Sequence, residues 1–397
     1  MGPGATAAVS ASGERHRICL VVGQLSLGGL ERQAYLLATG LDRRRFEVTV
    51  VSMNAGGPWG KALRQADVTV AEVNRNGHLD WRRLVRMARL FRSIRPHVVY
   101  SFNYETNAYA RLAGLLAGVP ILVTGERSVY MSWSMGVLER LLMRFTECVI
   151  CNAEAIRRDL IDRMGLPEHK VITVLNAVMI PDPPGPLERR AARHLIGAAE
   201  DEIVVGTIAA LAERKNLAVL VRAASLCPAA ARLRFVVVGG GPEEEALRAS
   251  IREHGMEDRF KLLGEREDAW RLLPGFDLFV LTSRSEGMPN ALMEAMAAER
   301  PCVCTDVGGC RELLEHGKTG YLVAPGDARG VADRIVELSR DAALRALMGR
   351  AGRERIAKGY SVERLVSDVE QVLLRLLQSA GSSPRGRRLR AEVNEAK

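Results

Sequence analysis

The chain is poor in the features that mark special environments. Aromatic residues make up only 5% of its 397 positions, and they are not interleaved with basic residues as stacking on nucleic-acid bases would require. Nucleic acid is therefore not an expected partner. No apolar run approaches 18 residues without a charge, and the nearest candidate, Leu112 to Thr124, is short and contains Pro120. No segment is read as spanning a membrane. Met1 to Gly13 lacks a basic stretch followed by an apolar one, which excludes a secretory signal there, and Met1-Gly-Pro-Gly-Ala-Thr6 matches the myristoylation pattern only in form. Seven cysteines are an odd number for a disulfide framework, and most lie in apolar strand-like runs. They read as reduced cytoplasmic thiols. Cys148 and Cys151 sit three apart in an apparent strand and so point to opposite faces, while Cys302, Cys304 and Cys310 lack a fourth ligand at zinc spacing. No metal or other cofactor is expected.

What the chain does have is positive charge, unevenly placed. The net charge is +9, and the excess of Lys and Arg lies in the first half and the last few residues. Arg82, Arg83, Arg86, Arg89, Arg92 and Arg95 fall within one helical stretch, Leu79 to Ile94. Such a stretch suits an anionic membrane surface or a phosphorylated lipid carrier, although a solvated helix face accounts for it equally well.

Length allows two or three domains with their own cores, and the pattern along the chain alternates strand and helix throughout. In the first half the strand signals are Ile18 to Val22, Phe46 to Met53, Val68 to Val73, His97 to Phe102 and Ile121 to Thr124. In the second they are Ile203 to Ile208, Arg234 to Val238, Lys261 to Leu263, Phe276 to Leu281 and Cys302 to Thr305. Alternation of this kind predicts α/β domains with doubly wound parallel sheets, whose ligands bind at the carboxyl ends of the strands. Phe102-Asn103-Tyr104 and Gly125-Glu126-Arg127-Ser128 are then site candidates. Pro181-Asp-Pro-Pro-Gly-Pro186 reads as a linker. The expected organisation is a flexible start at 1–15, a Rossmann-like domain over 16–180, the linker at 181–188 and a second Rossmann-like domain over 189–360. An amphipathic helix at 361–380 and a disordered tail at 381–397 complete it.

The stretch most charged with chemistry is Thr282 to Asp306. A strand-like run ends at Leu281, Gly287 and Pro289 interrupt, and a helical pattern follows with Pro289 at its first position. Glu286 then stands on the loop and Glu294 inside the helix. Free backbone N–H groups at the helix start, near Pro289, Asn290 and Ala291, make a seat for phosphate. Two flanking carboxylates suit an ester that carries hydroxyls on both sides of its phosphates, as a nucleotide sugar does.

Glu286-Gly-Met-Pro-Asn-Ala-Leu-Met-Glu294, followed by Gly308-Gly309, resembles the Glu-x7-Glu motif of the retaining family 4 glycosyltransferases. That resemblance implies the GT-B architecture, two Rossmann-like domains facing a cleft. It assigns Glu294 to the ribose hydroxyls and Glu286 to the sugar hydroxyls or the anomeric carbon, with Gly287, Met288, Pro289, Asn290 and Ala291 along the donor. Gly28-Gly29, after the first strand, is similar to the family's glycine-rich first loop, and Gly239-Gly-Gly241-Pro242-Glu243 to its turn near the nucleotide. Lys215 matches the lysine that holds the diphosphate.

Two positions depart from the family pattern. Phe102 and Glu126 stand where relatives carry histidine, and Glu126 is a candidate to bind a sugar hydroxyl or take the acceptor proton; an ion pair with Arg127 is the bland alternative. Ala210 stands where relatives carry a phosphate-binding arginine, for which Arg214 is a candidate substitute. No Asp-x-Asp pair occurs to hold a divalent ion on the diphosphate.

The resemblance implies retaining, metal-independent transfer from a UDP- or GDP-sugar to a hydroxyl acceptor, a lipid-linked one among the candidates, in polysaccharide, glycolipid or other glycoconjugate biosynthesis. The expected place is cytoplasmic or peripheral at the inner face of the membrane. A binding module without turnover and a GT-B sugar-nucleotide epimerase are the alternatives.

Overall fold

The computed structural model describes residues 15–74, 80–127 and 139–382. Most of the N-terminal segment expected to be flexible, Ser128, and the tail from 383 onward lie outside the described residues.

The first sheet is built from β1 (His16–Val22), β2 (Phe46–Ser52), β3 (Thr69–Glu72), β4 (Val98–Phe102), β5 (Ile121–Glu126), β6 (Cys148–Cys151) and β7 (Val171–Thr173). Its order is β3-β2-β1-β4-β5-β6-β7. The second comprises β8 (Ile203–Ile208), β9 (Leu233–Val238), β10 (Phe260–Leu262), β11 (Leu278–Leu281), β12 (Cys302–Thr305) and β13 (Gly320–Val323). It runs β10-β9-β8-β11-β12-β13, and each of its neighbouring strand pairs is parallel. The same inner order, third-second-first-fourth-fifth, recurs in both sheets and defines the doubly wound Rossmann arrangement. Strand-to-helix-to-parallel-strand connections produce it, because each crossover must return the chain to the same end of the sheet.

Packing groups the chain into two compact units. The first takes residues 1–126, 131–150 and 366–397, the second 127–130 and 151–365. In the first, Cys19, Val21, Val51, Met87, Phe91, Val99, Ala110 and Leu122 belong to one buried cluster. In the second, the core joins Val205, Val219, Phe235, Val280, Val303 and Ile335. These strands are continuous apolar runs because helices cover both faces of a parallel sheet.

Some boundaries differ from the sequence expectation. The proline-rich stretch holds regular structure from Pro186, which opens the helix Pro186–Ile196 at a position where its missing N–H is harmless. The last helix, Val362–Ser382, runs two residues beyond the expected end at 380. Ser379 Oγ donates back to Arg375 O and Leu376 O, so a polar residue stays within the helix. Among the described residues, no helix is long and apolar enough to cross a membrane.

Candidate active site

A doubly wound sheet opens a crevice where its strand order reverses, outside the carboxyl ends of the two strands that flank the reversal. In the second unit those strands are β8 and β11. The loops that leave them carry Lys215 and Glu286, and the structure brings the two together: Lys215 Nζ donates to Glu286 Oε1 at 2.5 Å. Ser283 Oγ donates to the same oxygen at 2.6 Å, and Arg214 Nη1 lies 3.7 Å from Oε2. Thr282 Oγ1 donates to Lys215 O and Asn216 O, each at 3.2 Å, and Arg284 N donates to Arg214 O at 2.8 Å, so the two loops are stitched along their backbones. Glu286 is only 8% exposed. A buried carboxylate is costly unless paired and hydrogen-bonded, and here it is both.

The residues after Glu286 are held as tightly. Gly308, at φ +49°, lies so close that an added Cβ would sit 1.7 Å from Glu286 O, and Gly309 N donates to Gly287 O at 2.7 Å. On the other side a Cβ on Gly287 would sit 2.1 Å from Arg127 O. Asn176 Nδ2 donates to Met288 O and to Asn290 Oδ1, both at 3.2 Å. The helix begins at Asn290, with Pro289 as N-cap at φ −74°, ψ 112°. Pro289 thus stands one residue earlier than expected, because its extended ψ keeps it outside the helix although its φ suits either place. Among the described residues no side chain caps this helix, which leaves its first N–H groups to a ligand. Glu294 is half-buried in the second turn.

The chain also has relatives whose names describe this chemistry. The model of the family "Glycosyl transferases group 1" matches residues 188–355, and that of "Glycosyltransferase Family 4" matches residues 27–180. The chain belongs to family 4 of the glycosyltransferases. The N-acetyl-alpha-D-glucosaminyl L-malate synthase of Bacillus anthracis is 33% identical over 46% of this chain, a match that spans 48% of that protein. A galactosyltransferase of Escherichia coli, named for UDP-Gal and alpha-D-GlcNAc-diphosphoundecaprenol, is 24% identical over 74% of this chain and 79% of its own length. Among solved structures, Anabaena Alr3699/HepE in complex with UDP-glucose shares the fold with a TM-score of 0.83, at 23% identity over 90% of this chain and 99% of that one.

Other expected site residues of this glycosyltransferase stand as follows. Gly239 and Gly241 have positive φ, and a Cβ on them would fall 1.9 Å from Ala209 O and 2.4 Å from Leu211 O. With Glu243 N donating to Leu211 O at 2.9 Å, the Gly241-Pro242 turn braces the loop that leads to Lys215. Ala210 is exposed, as is Arg214, whose side chain is 58% accessible.

In the first unit Gly28 caps the helix Gly29–Gly40, and a Cβ there would lie 2.1 Å from Glu31 Oε2. Burial holds the Glu31 carboxyl above its ordinary range. The glycine-rich turn is therefore packed against its own helix's carboxyl group. Phe102 is buried, its ring 4.3 Å from that of Tyr100, so it points into the core. Glu126 ends β5, is likewise buried, and accepts from Asn107 Nδ2 at 2.7 Å, while Ser101 Oγ donates to Asn107 Oδ1 at 2.7 Å. Sequence reading missed Ser101 and Asn107. Arg127, the suggested partner of Glu126, donates to Asn176 Oδ1.

The arginine-rich helix, Trp81–Ile94, uses part of its charge internally. Arg83 is buried and donates to Val73 O at 3.0 Å, and Arg86 donates to Asp80 Oδ2 at 3.0 Å. Arg82, Arg89, Arg92 and Arg95 are exposed, with the Arg82 guanidinium over the exposed Trp81 ring.

Proposed function

We propose that the chain transfers a sugar, with retention of anomeric configuration and without a metal ion, from a UDP- or GDP-sugar to a hydroxyl acceptor in polysaccharide or glycoconjugate biosynthesis. The observation that carries this reading is the Lys215–Glu286 pair, 2.5 Å apart beside an uncapped helix start that leads to Glu294. Breaking a glycosyl–phosphate bond leaves positive charge at the anomeric carbon and negative charge on the diphosphate. Glu286 and Lys215 supply the opposite charges at those two places, and the helix N–H groups add to the second. Glu294 holds the ribose hydroxyls. Glu126, set by Asn107, serves the sugar or the acceptor. Because cationic and backbone donors take the diphosphate and the chain has no Asp-x-Asp pair, the reaction runs without a divalent ion.

The acceptor is a hydroxyl on a lipid-linked glycan, in keeping with the diphosphoundecaprenol named for the Escherichia coli relative. The exposed Arg82, Arg89, Arg92 and Arg95 support peripheral attachment to an anionic membrane at its cytoplasmic face.

Proton NMR of UDP- and GDP-sugars incubated with the protein in excess EDTA tests the reading. Slow hydrolysis is expected, with the sugar first appearing in the donor's configuration. Release of the opposite anomer would contradict retention, and activity regained only with Mg²⁺ would contradict metal independence. Exposed Ala210, where the resemblance expects a phosphate-binding arginine, favours a binding module as second reading; binding without turnover would establish it.

A further inference from the structure

The donor reading leaves a charge unanswered. A nucleotide diphosphate brings several negative charges, whereas Lys215 is a single cation already shared with Glu286. Arg214, the substitute suggested by sequence, is mostly exposed and stands at the Glu286 carboxylate rather than at the helix start.

Another guanidinium is fixed to that helix start. Within the second unit the backbone of Arg127 packs on Gly287, where a Cβ would sit 2.1 Å from Arg127 O. Its side chain donates to Asn176 Oδ1, and Asn176 donates onward to Met288 O and Asn290 Oδ1 at 3.2 Å. Both ends of Arg127 are thus tied to the loop that opens the helix Asn290–Ala297. A second observation points to a ligand at the same place. Asn152 is only 3% exposed, its Oδ1 has no hydrogen-bond partner among the described residues, and that atom lies 2.9 Å from where a Gly287 Cβ would be. Buried amides are rarely left unsatisfied, and the oxygen and nitrogen of an amide exchange places by a simple flip. Turned so that its Nδ2 takes that place, the Asn152 amide would donate to a phosphate that Arg127 holds beside this helix start.

We propose that Arg127, positioned by Asn176, is the second cation on the donor diphosphate, taking the part of the arginine missing at Ala210, with Asn152 as a neutral hydrogen-bonding group beside it. The proposal rests on the donor reading above. A guanidinium suits the task because its planar fork matches two phosphate oxygens at once, which an ammonium group cannot do.

Calorimetric titration of the full chain with UDP and with UMP tests it, using the wild type, Arg127→Met and Arg127→Lys. Arg127→Met should raise the Kd for UDP at least about tenfold, a cost of charge-assisted hydrogen bonds, and change that for UMP much less. Arg127→Lys keeps the charge and the fold but loses the fork, and should fall between the two. Equal losses for UDP and UMP would mark Arg127 as merely structural and overturn the proposal. UDP binding that is lost in Glu294→Ala but unchanged in both Arg127 variants would overturn this proposal alone. A wild-type chain that binds none of UDP, GDP or ADP would overturn the donor reading and this inference with it.

Discussion

Glu299 follows the helix Asn290–Ala297 at φ +61°, a left-handed conformation that glycine adopts without strain and glutamate does not. Glu299 N donates to Met296 O at 3.0 Å and Arg300 N to Ala295 O at 2.9 Å, the paired bonds of a helix that ends in a left-handed residue. Glu299→Gly should therefore stabilise the chain by about 1 kcal/mol, since the carboxylate gains little from a 3.9 Å approach to Arg353 and its attraction to Arg300. Urea unfolding checks this, and an unchanged or lower midpoint would contradict it. At this scale the sequence names candidates where a motif is local, and the structure brings two of them, Lys215 and Glu286, together. Glu286, Glu294 and Lys215 could be picked out because each lies in a short run with a known spacing. Arg127 was named only for its place at a strand end, and Asn176 not at all, because the link from Asn176 to Met288 and Asn290 spans more than a hundred positions and no run of residues announces it. Phe102 misled for a related reason. A position at a strand end does not say which face the side chain takes, and Phe102 faces the core.

Among the elements, the loop from Glu286 to Pro289 depends most on its neighbours. It is squeezed between Gly308-Gly309 and the backbone of Arg127, with no space for a methyl group on either side. Gly308→Ala would force a Cβ to 1.7 Å from Glu286 O at a positive φ, so the loop must move. The variant should lose more than about 2 kcal/mol of stability and bind donor nucleotide weakly, whereas full donor affinity would show that the loop's position is unimportant. Thermal melts and calorimetry on one preparation separate the two effects. Strands Ile203–Ile208 and Cys302–Thr305 were legible to the residue because they are short apolar runs that begin directly after a charge or a proline, whereas Leu278–Leu281 was expected two residues too early, from Phe276, because Phe276 extends its apolar run across Asp277. Gly320–Val323 was missed, since a four-residue strand opened by glycine carries little signal. The final helix was expected at 361–380 and is found at Val362–Ser382, with the Ser379 hydroxyl bonding back into its own helix.

For the molecule as a whole, two parallel sheets with the same inner strand order were foreseeable from the alternation of strands and helices, and the family match agrees with them. The two halves differ in what they offer. The second unit presents charged side chains at its switch point, Lys215 against Glu286. In the first unit the corresponding positions are buried or packed on themselves, as with Phe102, Glu126 and the Gly28 turn beside Glu31. The account's central claim is that the second unit grips a nucleoside diphosphate through the Glu286-to-Glu294 helix start. Calorimetric titration of UDP into the wild-type chain and into Glu294→Ala tests it most directly. Two hydrogen bonds from ribose hydroxyls to a carboxylate are worth enough that the variant should bind at least about tenfold more weakly, with an unchanged melting temperature in the absence of ligand. An equal Kd in the two proteins would contradict the claim.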